Sequence, residues 1–280
     1  MSLNQIKAFV KPLESSCDRF LGSRLNILQP KKGFRAGIDS VLLGASVSNI
    51  EKTSVSNIKK SVSNNEVEGE RKLLDLGSGV GVAGLCALKF NETLSAVLLE
   101  KNIEMVLLAQ ENIKANGFEN RAKAIELDLT LSGKEREAAG LQVNHFDYVI
   151  ANPPFFDVGA GTVADGVGRA NARAMAKEDL GKWVRVAASC AKAKGRAVFI
   201  FPIVGLVDLL NEFEGRFGDI DILPIVSRQG ENASRFLLRG VKGSNAPLKM
   251  HSPLILHAKS GHGYLPQVEE ILRGEKPLLW

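Results

Sequence analysis

The segment Asn152-Pro153-Pro154-Phe155 combines an amide, two prolines and an aromatic ring directly after the apolar run FDYVIA. Prolines fix φ and donate no backbone hydrogen bond, so we expect the chain to leave a strand here in a rigid turn. The Asn152 side-chain oxygen and a carbonyl group of that turn can hold both N–H bonds of an aromatic amino group and aim its lone pair at an electrophile. Phe155 offers a face on which an extruded base can stack. We therefore predict Asn152, Pro153 and Phe155 as catalytic residues; an ordinary Asn-Pro turn is the alternative.

A glycine-rich loop precedes this segment in the run LLDLGSGVGVAGL. Gly77, Gly79 and Gly81 allow the backbone to turn tightly and to approach a ligand at the N-terminus of a helix, and Ser78 lies among them. With Gly84, the last two of these glycines also satisfy the dinucleotide fingerprint G-x-G-x-x-G. The loop alone therefore predicts a cofactor site without choosing the cofactor.

Three carboxylates accompany the loop, and the first of them, Asp75, favours S-adenosylmethionine as the cofactor. Asp75 precedes the first glycine inside a strand, where a buried carboxylate needs a polar or cationic partner and would repel a pyrophosphate. S-adenosylmethionine carries an ammonium and a sulfonium group. Glu100 ends the next strand and can accept from both ribose hydroxyls, as in NAD sites. Asp128 follows the third strand, where it either meets the adenine amino group or begins a loop. Asn152 borders the same predicted cofactor site.

Apolar strand-like runs that alternate with helical patterns lead into these residues. The runs lie at 72–76, 96–100, 122–127, 146–151 and 196–201. Strands that alternate with helices form a parallel sheet covered on both faces. Two further runs, near 222–226 and 235–241, are joined without a helix and predict an antiparallel hairpin at the sheet edge. A parallel sheet that ends in such a hairpin resembles that of the Rossmann-like methyltransferases. The resemblance implies this α/β fold, with a mostly parallel seven-stranded sheet and helices on both faces.

Composition divides the chain into four parts. Residues 51–70 are poor in apolar side chains and rich in Ser, Asn, Lys and Glu, which is typical of a flexible linker or insertion. We expect residues 1–50 to form an N-terminal capping element and residues 71–245 to form the methyltransferase domain. Residues 246–280 are expected to be a C-terminal extension packed on the same domain.

The bulk composition excludes several classes of function. With 280 residues and 45% hydrophobic side chains, the chain can bury a full α/β core. It contains neither an apolar run of about 20 residues nor a signal-peptide core, so we expect a cytoplasmic protein with no membrane partner. Its cysteines (Cys17, Cys86 and Cys190) are far apart, and its histidines lack ligand spacing. We therefore expect no metal.

The net charge of +5 is unevenly distributed, since residues 1–50 and 227–280 each carry +4 and the centre carries −3. Basic flanks around a slightly acidic centre suit a catalytic domain whose edges contact phosphates. Phe155 and six cations are the predicted RNA-binding residues, each cation being otherwise a solvated surface charge. These cations are Arg35, Arg169, Arg173, Arg235, Arg239 and Lys242.

LLDLGSGVG, the acidic ends of the following strands and NPPFF together resemble amino-group methyltransferases that act on adenine, guanine or protein glutamine. The segment LQPKKGFRAGIDSVLLGA is similar to one in the bacterial tRNA1(Val) (adenine(37)-N6)-methyltransferase family. SRFLLRGVKGSNAPLKMHSPLILH resembles the α-proteobacterial branch of that family. The resemblance implies N6-methylation of an adenine in tRNA, and it places the stretch from Arg35 to Asp39 over the methionine end of the cofactor. It leaves the oligomeric state open.

Two other enzyme classes and one class of binding protein compete with this interpretation. Guanine-N2 methyltransferases of rRNA also use an Asn-Pro-Pro-Phe turn but often have a His where this chain has Phe156. Protein-glutamine methyltransferases typically have a Tyr at the position of Phe155. A non-catalytic module that binds S-adenosylmethionine or RNA would gain nothing from two free acceptors, so the intact motif favours an enzyme.

Overall fold

The computed structural model describes residues 14–32, 35–47, 70–154 and 179–280. The first described element is a separate two-stranded antiparallel hairpin, formed by β1 (Ser15–Phe20) and β2 (Leu25–Pro30). Along β2, buried Leu25 and Ile27 flank exposed Asn26, so one face of the hairpin packs on the core of the main sheet. The hairpin thus covers one side of the domain.

The described residues form one main sheet of nine strands. They are β3 (Arg71–Leu76), β4 (Leu94–Glu100), β5 (Ala122–Glu126), β6 (Phe146–Ala151), β7 (Ala191–Pro202), β8 (Phe217–Val226), β9 (Arg235–Lys242), β10 (Lys249–Met250) and β11 (Leu254–Ile255). The spatial order of the seven long strands is β5-β4-β3-β6-β7-β9-β8. The first five are parallel to one another, and β9 is antiparallel to both of its neighbours.

The predicted Rossmann-like fold and its antiparallel hairpin are confirmed, with two differences in detail. β9 lies inside the sheet, between β7 and β8, so only one strand of the hairpin is near the edge. The outer side of β8 pairs in parallel with the two-residue strands β10 and β11. Strands of two residues have no hydrophobic period, so they could not be predicted from the sequence pattern.

Helices cover both faces of the main sheet. They are α1 (Ile38–Ala45), α2 (Val82–Phe90), α3 (Ile103–Ala115), α4 (Gly133–Ala138), α5 (residues 179–190), α6 (Leu206–Phe213) and α7 (Pro266–Leu272). The side chains of α1, α2, α3 and α7 pack in one hydrophobic core, and those of α5 and α6 pack in the other. Strand side chains alternate between the faces, since Leu73 lies in the first core and Leu74 in the second.

The C-terminal residues pack on the same sheet. The N–H group of Leu278 donates to the carbonyl oxygen of Ala45 at 3.1 Å, which joins the C-terminal segment to the end of α1. The guanidinium carbon of Arg239 on β9 lies 4.5 Å from the centroid of the Trp280 ring. Among the described residues, no helix has the length and apolar character that crossing a membrane requires.

Candidate active site

The candidate residues come from four neighbouring parallel strands and meet at one edge of the sheet. Leu76 pairs with Leu99 on one side and with Ala151 on the other, so the next residues, Gly77, Glu100 and Asn152, follow at the same level. β3 lies between β4 and β6, so the strand order along the chain reverses its direction across the sheet at β3, which makes this position a topological switch point. Open α/β sheets bind ligands at the carboxyl ends of the strands, at such a switch point.

The glycine loop adopts a conformation that L side chains rarely reach. The φ values of Gly77, Gly79 and Gly81 are 59°, 55° and 89°. A Cβ atom on Gly77 would lie 2.2 Å from the ring of Trp183 on α5, whereas one on Gly79 would meet nothing within 4 Å. Gly77 is therefore fixed by close packing, and Gly79 faces open space into which a ligand can fit.

Three N–H groups of the glycine loop are already used within the protein. The Ser78 N–H donates to the Leu99 carbonyl at 2.9 Å, the Gly79 N–H to Glu100 Oε2 at 3.0 Å, and the Gly81 N–H to the Ser78 carbonyl at 2.9 Å. Dinucleotide sites depend on such groups at the start of the first helix. The loop geometry therefore favours a ligand that is not held by its phosphates.

Asp75 is buried, with 2% of its surface exposed, directly beneath the loop. Its Oδ2 accepts from the Gly84 N–H at 2.9 Å in the first turn of α2. Burial raises the pKa of Asp75 to about 7, the bond from Gly84 opposes the rise, and the charge of Glu100 adds to it. No cationic side chain of the described residues forms an ion pair with Asp75. Ionisation of this buried carboxyl group therefore costs free energy, and a cation bound nearby would reduce that cost.

Glu100 connects the glycine loop to the start of α3. One carboxylate oxygen accepts from the Gly79 N–H, and the other accepts from the Asn102 N–H at 2.9 Å. Each carboxylate oxygen can accept more than one hydrogen bond, so both can also receive a ligand hydroxyl. Asn102 in turn caps α3, because its side chain accepts from the Glu104 and Met105 N–H groups. The position of Glu100 is thus fixed from two sides.

Asp128 and Ser78 add further polar groups near this edge. Asp128 lies two residues beyond β5, and the hydrogen bond from the Thr130 N–H holds the pKa of its carboxyl below the usual range. Asp128 therefore remains an acceptor at neutral pH. The Ser78 hydroxyl is buried and has no hydrogen-bond partner among the described residues. A buried hydroxyl without a partner is unfavourable, so a ligand in the loop would improve its environment.

Asn152 and the first proline stand where β6 ends. Asn152 is half-buried, Pro153 is buried and Pro154 is exposed, and none of the three is part of a strand. The side chain of Asn152 makes no hydrogen bond to another residue in the described part of the chain, so its amide can serve a ligand. Phe155, the predicted stacking platform, lies outside the described residues, as do Arg169 and Arg173.

Arg35 and Arg235, two of the predicted RNA contacts, form ion pairs within the protein. Arg35 pairs with Asp18 and also donates to the Ser16 hydroxyl and the Pro30 carbonyl, which holds the residues before α1 to the hairpin. Arg235 pairs with Asp39. It starts β9 opposite Pro202, the last residue of β7, and is therefore at the same edge of the sheet as Asn152. About a third of each guanidinium side chain is exposed, so contact with RNA stays a prediction.

The structure corrects the prediction for Arg239 and does not support the one for Lys242. Arg239 is 6% exposed, with Nη2 2.6 Å from Asp221 Oδ2, so it cannot reach a phosphate. Lys242 lies at the opposite end of β9, and its ammonium group donates to Asn144 Oδ1 and the Ala191 carbonyl, each at 2.7 Å. That end is the amino edge of the sheet, on the far side from Asn152.

Sequence reasoning missed Trp183, which packs under the glycine loop. Its ring occupies the space beside Gly77 and belongs to the core between α5 and the sheet. The segment LGKWVRVAASC has the periodicity of a helix, and this periodicity places the large aromatic side chain of Trp183 on the apolar face. Such a residue is usually core, and its contact with residue 77 could not be inferred from one sequence.

Comparison with known proteins confirms the resemblance that the motifs indicated. The family model "Methyltransferase small domain" matches residues 55–195. A tRNA1(Val) (adenine(37)-N6)-methyltransferase from Haemophilus influenzae (strain PittGG) is 26% identical over 185 residues, 66% of this chain and 68% of the relative. The enzyme of that name from Actinobacillus succinogenes is 25% identical over 80% of this chain and 83% of its own length. The chain spans about half, 48%, of the relative from a Flavobacteriaceae bacterium (strain 3519-10), with 26% identity over 49% of this chain.

Solved structures show the same fold. The crystal structure of protein Atu636 from Agrobacterium tumefaciens, a predicted O-methyltransferase, has a TM-score of 0.66 and 27% identity, covering 86% of this chain and 98% of that one. The delta-N METTL16 MTase domain has a TM-score of 0.55 at 15% identity, covering 77% of this chain and 87% of that domain. Since the family model covers half of its length, this chain belongs to the methyltransferase small domain family.

Proposed function

We propose that this protein is an S-adenosylmethionine-dependent methyltransferase that modifies the N6 amino group of an adenine in RNA. The observation that carries the proposal is the position of Asn152. It follows Ala151, which pairs with the residue directly before the glycine loop, so an acceptor amide and the cofactor loop end side by side. An enzyme that transfers a methyl group to an amine needs these two functions next to each other.

The residues around the loop fit S-adenosylmethionine. Glu100 has two oxygens for the ribose hydroxyls, and the buried Ser78 hydroxyl lacks a partner among the described residues. Asp75 would gain from a cation nearby. The cofactor supplies an electrophilic methyl group on a sulfonium, and Glu100, Asp75 and Asp128 together make this edge favourable for its positive charges.

The chain's own residues then need only to hold the acceptor nitrogen. The lone pair of an aromatic amine is delocalised into the ring, and two acceptors on its N–H bonds favour a pyramidal nitrogen. The Asn152 oxygen supplies one acceptor, and a carbonyl of the turn at Pro153 supplies the other. No strong base is required, because the cation formed loses its proton readily. Phe155 completes the proposed site as a stacking surface for the base.

For the substrate we propose tRNA, and more specifically adenine 37 of a valine tRNA in the cytoplasm. The names of the relatives from Haemophilus influenzae and Actinobacillus succinogenes support this choice. Protein Atu636 is described as a predicted O-methyltransferase, which would transfer the methyl group to an oxygen. A hydroxyl has one hydrogen and leaves one of the two acceptors at Asn152 unused, so the site favours an amine.

The Asn152→Ala variant tests the proposed mechanism. It removes one acceptor, and we expect the single-turnover rate of methyl transfer to fall by about 10²-fold or more. Cofactor affinity, measured by calorimetry, should change far less, because Ser78 and Glu100 remain. A variant with near-normal turnover would overturn the proposed role of Asn152. Labelled cofactor offered to unmodified RNA and to total protein separates the acceptor classes, and label in protein would favour a glutamine methyltransferase.

A further inference from the structure

Asn112, on α3, is fully buried and touches two segments that are far apart in sequence. Its Oδ1 accepts from the Leu28 N–H at 2.7 Å, and its Nδ2 donates to the Leu28 carbonyl at 3.0 Å. The same Nδ2 donates to the carbonyl of Val80, again at 3.0 Å. One amide group therefore binds the backbone of the N-terminal hairpin and the backbone of the glycine loop at once.

The Val80 carbonyl depends on this contact. Val80 lies between Gly79 and Gly81 and is 6% exposed. The hydrogen-bond ladder of α2 begins one residue later, where the Gly81 carbonyl accepts from the Leu85 N–H. The Val80 carbonyl is thus outside the helix, and Asn112 is its hydrogen-bond partner among the described residues. A buried carbonyl that loses its partner is unfavourable, so the loop would move to find another.

Asn116, the residue directly after α3 and four positions beyond Asn112, provides an internal comparison. Its Oδ1 accepts from the Asn26 N–H at 2.9 Å, and its Nδ2 donates to the Asn26 carbonyl at 2.8 Å. In both cases the side-chain amide pairs with the N–H and carbonyl groups of one β2 residue, as the backbone of a neighbouring strand would. Of these two asparagines, only Asn112 also bonds to the glycine loop within the described residues, so the two positions separate hairpin docking from loop support.

We propose that Asn112 is a positioning residue that couples docking of the N-terminal hairpin to cofactor binding. The inference rests on the proposed function, in which the loop from Gly77 to Gly81 binds S-adenosylmethionine. When the hairpin is docked, Leu28 holds the Asn112 amide in the orientation that supports Val80. Coupling between two sites is reciprocal, so a ligand in the loop should also stabilise the docked hairpin.

Calorimetry with S-adenosylhomocysteine as the probe compares Asn112→Ala with its matched control Asn116→Ala. Each variant loses two bonds to β2, to Leu28 for Asn112→Ala and to Asn26 for Asn116→Ala. Asn116→Ala also loses a bond to the backbone carbonyl of Asn112 within the same chain segment, and both variants should unfold at a lower temperature. We expect the Kd to rise about tenfold or more for Asn112→Ala, the scale of one lost buried hydrogen bond, and less than about threefold for Asn116→Ala. Equal changes in Kd would overturn the proposal, since they would show that the hairpin acts without this contact.

Amide exchange of the wild-type protein, followed by NMR, tests the coupling without any variant. Saturation with S-adenosylhomocysteine should slow exchange of the Leu28 N–H, which Asn112 binds, by several-fold, and that of the Asn26 N–H by less. Unchanged exchange at Leu28 in a protein that binds the probe would contradict the coupling alone. A wild-type protein that does not bind the probe would instead overturn the proposed function.

Discussion

At the scale of single residues, Asp75 makes the stability of the free protein depend on pH. Its pKa of about 7 in the folded state lies above the ordinary value of 3.8. Between these two values the folded state retains a proton that the unfolded chain has lost. The contribution of Asp75 to stability is therefore fully present below about pH 4 and is lost as the pH rises to about 7.

The Asp75→Asn variant should remove this dependence while keeping an oxygen for the Gly84 N–H. Denaturant unfolding at pH 5 and pH 8 measures the effect, since the wild type should lose more stability than the variant over this interval. Other groups titrate in both proteins and cancel in the comparison. Equal losses would show that the carboxyl of Asp75 is not perturbed in the way that its burial requires.

At the scale of elements, the glycine loop is held between β3 and α5 by a contact that admits no side chain at residue 77. Gly77→Ala and Gly79→Ala impose the same backbone strain, because both glycines have φ near 60°. Only the first also drives a methyl group into the Trp183 ring. We expect Gly77→Ala to be less stable than Gly79→Ala by about 1–3 kcal/mol, the usual cost of overpacking.

Denaturant unfolding of the two variants measures this difference. Combining each alanine with Trp183→Leu provides the control, because a smaller side chain makes room beside residue 77. The gap between the two glycine positions should then shrink. A gap that persists in the Trp183→Leu background would assign the effect to the backbone alone and remove the packing argument for Gly77.

The sequence predicted those elements whose signal is local. Buried strands such as β3 and β6 appear as apolar runs, and Gly77 and Asn152 follow them directly, so both site loops could be found. The hairpin of β1 and β2 has mixed polarity, and its contact with Asn112 depends on an amide whose partners lie 84 and 32 residues away. No periodicity reports such a contact.

The environment of the charged side chain of Arg239 could not be predicted from the sequence either, for the same reason. Arg239 lies in the predicted strand near 235–241, where its charge predicted either an RNA contact or a solvated surface position. The structure buries it against Asp221, which is 18 residues away, and against Trp280, which is 41 residues away. Removing Asp221 would leave the buried guanidinium group without its counter-ion, which is costly. Only the tertiary structure brings these three residues together.

At the scale of the whole molecule, the side of the sheet formed by the carboxyl ends of the parallel strands and the side formed by their amino ends should differ in their contribution to RNA binding. Arg235 lies at the edge that carries Asn152, and Lys242 lies at the opposite edge. We expect Arg235→Ala to weaken RNA affinity and to reduce its salt dependence by about one phosphate contact. Lys242→Ala, the matched control, should change neither. Titrations of labelled tRNA at several salt concentrations measure both quantities, and equal effects would contradict the assignment of the RNA to the Asn152 edge.

The most direct test of the central claim is the identity of the methylated nucleoside. Purified protein is incubated with labelled S-adenosylmethionine and with tRNA that lacks modifications, and the RNA is digested and its nucleosides are separated. We expect label in N6-methyladenosine, and in the Asn152→Ala variant this label should fall to background. Label in N2-methylguanosine, or in a ribose or other oxygen, would contradict it, because the paired acceptors at Asn152 would then serve a different group.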